Sequence, residues 1–193
     1  MIGVLVSGTG TNLQAMLEAG LPVVAVASND TKAPALDRAA RAGIAAGAFP
    51  ALEFDSREHR DTEMAEWLAE RHVELVVLAG YMQLLTAPFI ERFAGRILNV
   101  HPSLLPSFPG GHAVEDALEH GVKVTGATVH FVDAGVDTGP IVLQEPVEVR
   151  PDDTPETLHA RIQEVEHRLL PHAVRLFLDG AISFPEAGRI VSA

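Results

Sequence analysis

Short runs of consecutive apolar residues recur along the first half of the chain, separated by stretches with helical character. The runs cover residues 2–6, 23–27, 75–79 and 97–100. Helices are predicted between them, at about residues 12–19, 34–41 and 55–71. Strands that are apolar throughout, rather than at alternate residues, are buried on both faces. Their alternation with helices predicts a parallel sheet that is covered by helices on both faces.

The second half of the chain has a different pattern. Residues 123–132 and 141–149 resemble strands, and the loop between them contains Gly135 and Gly139, which predicts an antiparallel pair. A final helix begins at Thr154-Pro155, and Pro171 should kink or interrupt it. The predicted fold class is therefore α/β, with a Rossmann-like, mostly parallel sheet, helices on both faces and an antiparallel C-terminal strand pair.

Length and composition limit the class of protein. At 193 residues the chain is expected to form a single domain, residues 1–193, with a sizeable core. The net charge of −12 argues against a nucleic-acid partner, which requires clustered Lys and Arg. No apolar run approaches the roughly 20 residues that cross a membrane, and the first residues lack the basic segment of a secretory signal. These features predict a cytoplasmic protein with no membrane partner.

The segment Asn-Val-His-Pro-Ser-Leu-Leu-Pro at residues 99–106 carries the strongest chemical signal. Asn99 and His101 lie two residues apart at the end of a predicted strand, so their side chains point to the same side. Pro102 biases His101 away from helical geometry and marks the end of the strand. Two hydrogen-bond donors at the mouth of a strand can stabilise a developing oxyanion, which indicates acyl-transfer chemistry. The alternative is a structural histidine with an asparagine in a turn.

A histidine that acts as an acid or an electrophile benefits from a carboxylate that orients it and raises its pKa. The loop Asp-Ala-Gly-Val-Asp-Thr-Gly-Pro at residues 133–140 offers Asp133 and Asp137. Glycines flank Asp137 on both sides, and we favour it as the residue that keeps His101 protonated. For either aspartate the alternative role is turn formation.

The first predicted strand is followed by Ser-Gly-Thr-Gly-Thr-Asn at residues 7–12. Glycines let a backbone approach a ligand closely, and a helix N-terminus offers free N–H groups to an anion. Thr11 and Asn12 add a hydroxyl and an amide, and the alternative is that one of them caps the helix. Leu13 stands where a dinucleotide site has its third glycine, and no Lys-Ser or Lys-Thr follows. A single terminal phosphate, as on a ribose 5-phosphate, therefore fits better than a pyrophosphate.

Other catalytic motifs are missing from the sequence. The histidines show no His-Glu-x-x-His spacing and the chain has no cysteine, so no metal site is predicted. There is no Gly-x-Ser-x-Gly motif, which argues against a serine hydrolase.

Four segments, in order, resemble the folate-dependent phosphoribosylglycinamide formyltransferases, an enzyme family of purine synthesis. They are residues 99–106 and the segments Ser-Gly-Thr-Gly-Thr-Asn-Leu at 7–13, Val-Leu-Ala-Gly-Tyr-Met at 77–82 and Val-His-Phe-Val-Asp-Ala-Gly-Val-Asp-Thr-Gly-Pro at 129–140. The Asn-x-His-Pro-Ser-Leu-Leu-Pro segment is specific to folate formyltransferases, and the glycine turn narrows the resemblance to the ribonucleotide enzymes. The resemblance extends over nearly the whole chain and implies the formyltransferase fold.

This resemblance also implies a reaction and its catalytic residues. The formyl group of 10-formyltetrahydrofolate, a co-substrate, would be transferred to the amine of glycinamide ribonucleotide without a metal. Asn99, His101 and Asp137 fall on the catalytic trio of the family.

The resemblance implies binding residues as well. Gly10, Thr11 and Asn12 fall where the family holds the substrate phosphate, and Glu166 falls on the contact with the substrate amine. The folate would be bound by Arg57, Met82, Gln83, Leu84, Leu85, Asn99, Asp133, Ala134, Gly135, Val136 and Asp137. Residues 1–100 would form a phosphate-binding half, and residues 101–193 a folate-binding and catalytic half.

The chain departs from the family pattern near the catalytic segment. Family members often carry a lysine near the position of Ser107, so a phosphate or cofactor contact there is replaced or lost. His112 matches a family position and could approach the catalytic pocket, and the alternative is a surface histidine.

Three alternative functions remain open from the sequence. A formyltetrahydrofolate hydrolase and a methionyl-tRNA formyltransferase use the same chemistry, but each usually carries an extra domain, and the acidic charge disfavours tRNA. A nucleotide-binding module without chemistry is the alternative from another class. The protein is expected to be a monomer or a homodimer, with small molecules as its partners.

Overall fold

The computed structural model describes residues 1–185. Its backbone divides into two units, Met1–Leu98 and the part that begins at Asn99. The boundary lies within a strand that contributes residues to both units. The expectations of one domain and of functional halves at 1–100 and 101–193 stay predictions.

The first unit is built around strands, the first four of which pair in parallel. They are β1 (Ile2–Val6), β2 (Val23–Ser28), β3 (Ala45–Ala48), β4 (Leu75–Leu78) and β5 (Ile97–His101), which crosses the boundary. Their order is β3-β2-β1-β4-β5, and β1 pairs in parallel with β2 and with β4. Every residue of β1 and β4 is buried, as expected for strands that are covered on both faces.

Helices follow these strands. They are α1 (Thr11–Glu18), α2 (Pro34–Arg41), α3 (Arg57–Ala69) and α4 (Ala87–Arg92), with one turn of 3₁₀ helix at Ala51–Glu53. α2 begins with a proline, where no backbone N–H is needed, and has two arginines in its last turn that complement the helix dipole. Ser56 caps α3, because its hydroxyl accepts a hydrogen bond from the N–H of His59 at 3.0 Å.

The second unit contains α5 (Ala113–Glu119), β6 (Val124–Phe131), β7 (Ile141–Glu148) and α6 (Pro155–Leu178). β6 lies between β5 and β7. β6 and β7 are antiparallel, as the sequence predicts, and Val124 lies opposite Glu148. β6 is buried after its first residue, and α6 packs against both strands.

α6 bears on the expectation that Pro171 kinks or interrupts the final helix. Thr154 is its N-cap and accepts a hydrogen bond from the N–H of Thr157 at 3.3 Å, as predicted. The helix is not interrupted at Pro171 but continues to Leu178. Pro171 removes one helical hydrogen bond, but Leu169, Leu170 and Pro171 are all buried. Packing of this apolar face holds the helix together through the proline.

The predicted fold class is confirmed: parallel strands alternate with helices, and an antiparallel pair follows. The sequence does not predict α4 and α5, because helices of six and seven residues are too short to display an apolar period. Within residues 1–185, no helix has both the length and the apolar character required to span a membrane.

Candidate active site

The end of β5 places two polar side chains in an otherwise apolar strand. Asn99 is half-buried and His101 is 4% exposed, whereas Ile97, Leu98 and Val100 belong to the buried core. As expected from the alternation along a strand, Asn99 and His101 meet the same partner, the carboxylate of Asp137.

Both ring nitrogens of His101 face oxygen acceptors. Nε2 lies 2.8 Å from the backbone carbonyl of Phe108, and Nδ1 lies 3.4 Å from Oδ2 of Asp137. Because the carbonyl can only accept, we assign the hydrogen of a neutral ring to Nε2. Nδ1 then directs its lone pair at the carboxylate, and a proton taken up at Nδ1 is held between His101 and Asp137.

Burial and neighbouring groups act in opposite directions on the pKa of His101. Burial lowers the pKa of His101 below its ordinary value of 6.5. The hydrogen bond to Phe108 and the charge of Asp137 raise the pKa but do not overcome this effect, and nearby His130 lowers it further. Asp137 therefore raises the pKa of His101, as expected, although the net shift is downward, and the protonated ring stays a prediction.

The loop that carries Asp137 is shaped by its glycines. A Cβ atom at Gly139 would collide with the carbonyl oxygen of Phe131, and one at Gly135 would collide with the hydroxyl of Thr138. Asp137 itself has a left-handed backbone, with φ of 53°, which aspartate tolerates better than most residues.

The structure separates the roles of the two candidate aspartates. Oδ1 of Asp133 accepts hydrogen bonds from the N–H of Gly135 at 3.0 Å and from the hydroxyl of Thr138 at 2.7 Å. Asp133 is thus engaged in the turn, whereas Asp137 faces His101.

Asp137 is held in its ionised form. Burial alone would raise its pKa, but His130 and His101, when their rings are protonated, and the N–H of Gly110 at 2.8 Å outweigh burial and lower the pKa to about 2. The site therefore keeps a fixed negative charge at every physiological pH.

His130, which the sequence analysis does not single out, completes the cluster. Its Nδ1 donates to the carbonyl of Phe131 at 2.8 Å, so Nε2 accepts from Nδ2 of Asn99 at 3.1 Å. Nδ2 of Asn99 also donates to Oδ1 of Asp137 at 3.3 Å. The available signal is a histidine in β6, a strand that is buried after its first residue, where a polar side chain needs a partner.

The backbone after His101 is held by side chains of β6 and β7. The hydroxyl of Thr128 donates to the carbonyl of Ser103 at 2.6 Å and accepts from the N–H of Leu105 at 3.1 Å. Nε2 of Gln144 donates to the carbonyl of Leu105 at 2.8 Å. This network fixes the segment on which the carbonyl of Phe108 reaches His101.

Ser107, where the sequence departs from the family pattern, and nearby His112 are both exposed. The backbone carbonyl of Ser107 accepts a hydrogen bond from the hydroxyl of Ser103 at 2.5 Å. His112 occupies the N-cap position of α5 without capping it.

In the first unit, the glycine turn opens α1 at Gly10. Gly10 is the N-cap residue, with φ of 72°, and a Cβ atom there would lie 2.7 Å from Cβ of Ala35. Thr11 and Asn12 follow as the first helical residues, so neither is the N-cap. Nε of Arg38 donates to the carbonyl of Thr9 at 2.8 Å, which brings a cation to the turn.

The segment predicted to bind folate has exposed side chains. Met82 is 65% and Leu84 is 58% exposed, which is unusual for large apolar residues, and Gln83 and Leu85 are half-buried. Nη2 of exposed Arg57 donates to the carbonyl of Leu84 at 2.8 Å. In the second unit, Ala134, Gly135 and Val136 are exposed on the loop of Asp137.

Glu166 lies on α6 and is 4% exposed. Its position beside the apolar stripe would otherwise indicate a solvated residue, so its burial comes from tertiary packing. In the described part of the chain, no group of three or more histidines and carboxylates is arranged to hold a metal ion.

Comparisons with known proteins agree with one another. A family model described as "Formyl transferase" matches residues 1–174. The phosphoribosylglycinamide formyltransferase of Mycobacterium tuberculosis is 48% identical over 176 residues, which are 89% of this chain and 81% of that protein. The crystal structure of glycinamide ribonucleotide transformylase 1 from Symbiobacterium toebii matches with a TM-score of 0.94 and 50% identity, covering 98% of this chain and 92% of that one.

Similarity also extends to a larger protein. The trifunctional purine biosynthetic protein adenosine-3 of Gallus gallus is 45% identical over 195 residues, covering 98% of this chain. This chain spans only 19% of the length of that relative.

Proposed function

Because the chain belongs to the formyl transferase family, we propose that it transfers the formyl group of 10-formyltetrahydrofolate to the amine of 5-phosphoribosylglycinamide. The products are formylglycinamide ribonucleotide and tetrahydrofolate, as in purine biosynthesis. Relatives named for this activity support the choice of substrates.

The observation that carries the proposal is the cluster of Asn99, His101 and Asp137. Asn99 and His101, at the end of β5, each lie within hydrogen-bond or ion-pair distance of Asp137. An amide donor, a histidine with a lowered pKa and a fixed carboxylate suit a reaction that creates an oxyanion and moves a proton.

In the proposed reaction, the substrate amine attacks the formyl carbon directly and forms a tetrahedral intermediate. Asn99 donates one amide hydrogen to the oxyanion in this scheme. We assign this role to the hydrogen that now points at Asp137, because that hydrogen bond is the longer one, at 3.3 Å, whereas the one to His130 is 3.1 Å.

His101 moves the proton in this scheme. The amine loses one proton, which is held at Nδ1 of His101 against Asp137 and then passes through water to the folate nitrogen. The bond between that nitrogen and the formyl carbon breaks as the proton arrives, so no net proton is taken up. The lowered pKa of His101 suits this relay, because the protonated ring releases its proton readily near neutral pH.

The glycine turn is proposed to hold the phosphate of the ribonucleotide. Gly10, Thr11 and Asn12 present the first N–H groups of α1, and the N-cap residue Gly10 has no side chain that could occupy them. Glu166 is proposed to contact the substrate amine.

Arg57 and residues 82–85 are proposed as folate contacts. Asn99 and residues 133–137 are proposed as folate contacts as well. The exposed apolar side chains of Met82 and Leu84 suit a flat ring. We further propose that the protein needs no metal and binds no nucleic acid. It is proposed to act in the cytoplasm, in one-carbon metabolism, as a monomer or a homodimer.

A spectrophotometric assay of the pure protein with both substrates tests this function. Conversion of 10-formyltetrahydrofolate that depends on glycinamide ribonucleotide is the expected result. Conversion without the amine would instead indicate a hydrolase, and no conversion would indicate a binding module.

A further inference from the structure

One face of α3 contacts the backbone of the segment that is proposed to bind folate. Arg57, Arg60 and Asp61 are spaced at i, i+3 and i+4, so they share this face. Nη2 of Arg57 donates to the carbonyl of Leu84 at 2.8 Å, and Oδ2 of Asp61 accepts from the N–H of Thr86 at 2.8 Å. α3 therefore holds this segment at two backbone positions.

Asp61 differs from Arg57 in being completely buried. Neither Arg60 nor Asp61 exposes any surface, and Oδ1 of Asp61 accepts from Nε and Nη2 of Arg60 at 2.9 and 2.7 Å. With one oxygen committed to Arg60 and the other to Thr86, Asp61 joins a buried cation to the backbone of this segment.

A second tether holds the other end of the segment. The hydroxyl of Ser7 accepts from the N–H of Met82 at 2.8 Å, and the N–H of Ser7 donates to the carbonyl of Gly80 at 3.0 Å. The backbone is thus anchored at both ends, while the side chains of Met82 and Leu84 stay exposed. This arrangement fixes the shape of the segment and leaves its apolar side chains available to a ligand.

Stability alone does not account for the buried ion pair. Burial of two charges offsets most of their attraction, and apolar residues of similar volume commonly serve as well. In addition, Nη1 of Arg60 and the hydroxyls of Tyr81 and Thr86 are buried without a hydrogen-bond partner among the described residues. A protein tolerates such groups more readily where they serve a site.

Tyr81 belongs to the same cluster. Burial raises the pKa of Tyr81 to about 12, Arg60 acts against this shift, and Asp61 adds to it. Its phenol therefore stays protonated beside the ion pair, immediately before the segment that begins at Met82.

We propose that Asp61, charge-paired with Arg60, is a positioning residue that holds residues 82–85 in the conformation that receives folate. This inference rests on the proposed function, because it assigns folate to this segment. Asp61 acts through the backbone N–H of Thr86 and does not touch the substrates.

Two variants test the proposal. Asp61→Asn keeps an acceptor for Thr86 but removes the charge, and Arg60→Met/Asp61→Leu replaces the pair by apolar residues that commonly preserve stability. The KM for 10-formyltetrahydrofolate should rise about tenfold in the double variant and less in Asp61→Asn, as expected for loss of a hydrogen bond to a charged group. The KM for glycinamide ribonucleotide should not change.

Asp55→Asn is the matched control. It makes the same chemical change at a fully exposed aspartate just before α3 and should leave both KM values unchanged. Melting temperatures of all variants establish that each is folded. Calorimetric titration with tetrahydrofolate provides a binding measurement that does not depend on turnover.

Two results would overturn the proposal. One is an unchanged KM for folate in a folded double variant. The other is a fall in kcat and a change in both KM values that follow the loss of stability from variant to variant. This pattern would indicate a purely structural role. An inactive wild-type protein would instead reject the proposed function, so the two failures are distinguishable.

Discussion

At the scale of single residues, Asp137 organises the candidate site. Its carboxylate accepts from the N–H of Gly110 and from Asn99, and it faces both His101 and His130. Groups from β5, from the loop after it and from β6 thus share one ionised side chain. The geometry couples His101 to Asp137, because a proton on Nδ1 of His101 is held against the carboxylate of Asp137.

We therefore expect His101→Ala and Asp137→Ala each to lower kcat by roughly a hundredfold or more, because each removes a group that stabilises the transition state. Binding of both substrates should persist, which calorimetry would measure. His159→Ala and Asp152→Asn are matched changes at exposed positions of the same unit and should retain full activity. Near-native turnover in either site variant would reject these residues as catalytic.

His130 should act through Asn99. His130→Phe keeps an aromatic ring in β6 but removes the acceptor for Nδ2 of Asn99, so the amide loses a fixed orientation. We expect kcat to fall about tenfold, the range seen when a supporting hydrogen bond is lost, with little change in either KM. A kcat equal to that of the wild type in a folded His130→Phe protein would show that the orientation of Asn99 needs no partner in β6.

At the scale of elements, the two proposed binding turns depend on glycine for different physical reasons. Gly10 combines a left-handed φ with close contact to Ala35 of α2. Gly139 is needed because the loop between β6 and β7 passes against the carbonyl of Phe131. In both cases a side chain would displace the backbone that carries the functional groups.

The two ends of α1 offer a controlled test of this point. Gly10 and Gly20 have nearly equal φ values of 72° and 71°, but a Cβ atom at Gly20 would meet no atom within 4 Å. Ala at either position should destabilise the protein by about 1 kcal/mol through backbone strain. Only Gly10→Ala should lose more stability and raise the KM for glycinamide ribonucleotide. Equal effects of both variants on this KM would contradict phosphate binding at the turn.

At the scale of the whole molecule, the site links stability to pH. The pKa of Asp137 is lowered from 3.8 to about 2, and that of His101 is lowered from 6.5. In both cases the unfolded chain binds a proton at a higher pH than the native protein does. Acidification therefore favours unfolding, first through His101 as the pH falls below 6.5 and then through Asp137 below 3.8.

Urea denaturation at pH 8 and pH 5.5 would measure the contribution of His101. The free energy of unfolding of the wild type should fall more over this interval than that of His101→Asn, which cannot titrate there. The other groups titrate in both proteins, so the difference isolates His101. A larger fall in the variant would mean that Asp137 raises the pKa of His101 above 6.5, contrary to the structure.

The sequence alone predicts the architecture because the relevant signals are local. Runs of apolar residues mark β1, β2, β4 and β5, and glycine, proline and threonine mark turns and caps such as Thr154. Alternation along a strand likewise predicts that Asn99 and His101 act on the same side. A local signal can also mislead. Pro171 predicts an interruption, but the apolar face of α6 keeps the helix continuous to Leu178.

Only the tertiary structure decides which distant groups meet. It assigns the turn to Asp133 and the histidine contact to Asp137, brings His130 to Asn99, and buries Glu166 and the pair Arg60–Asp61. It also decides the direction in which the pKa of His101 shifts, because desolvation depends on the packing around the ring and not on neighbours in sequence. The sequence by itself thus determined the fold class and a pair of candidate catalytic residues, whereas packing determined their partners and the balance of effects on their pKa values.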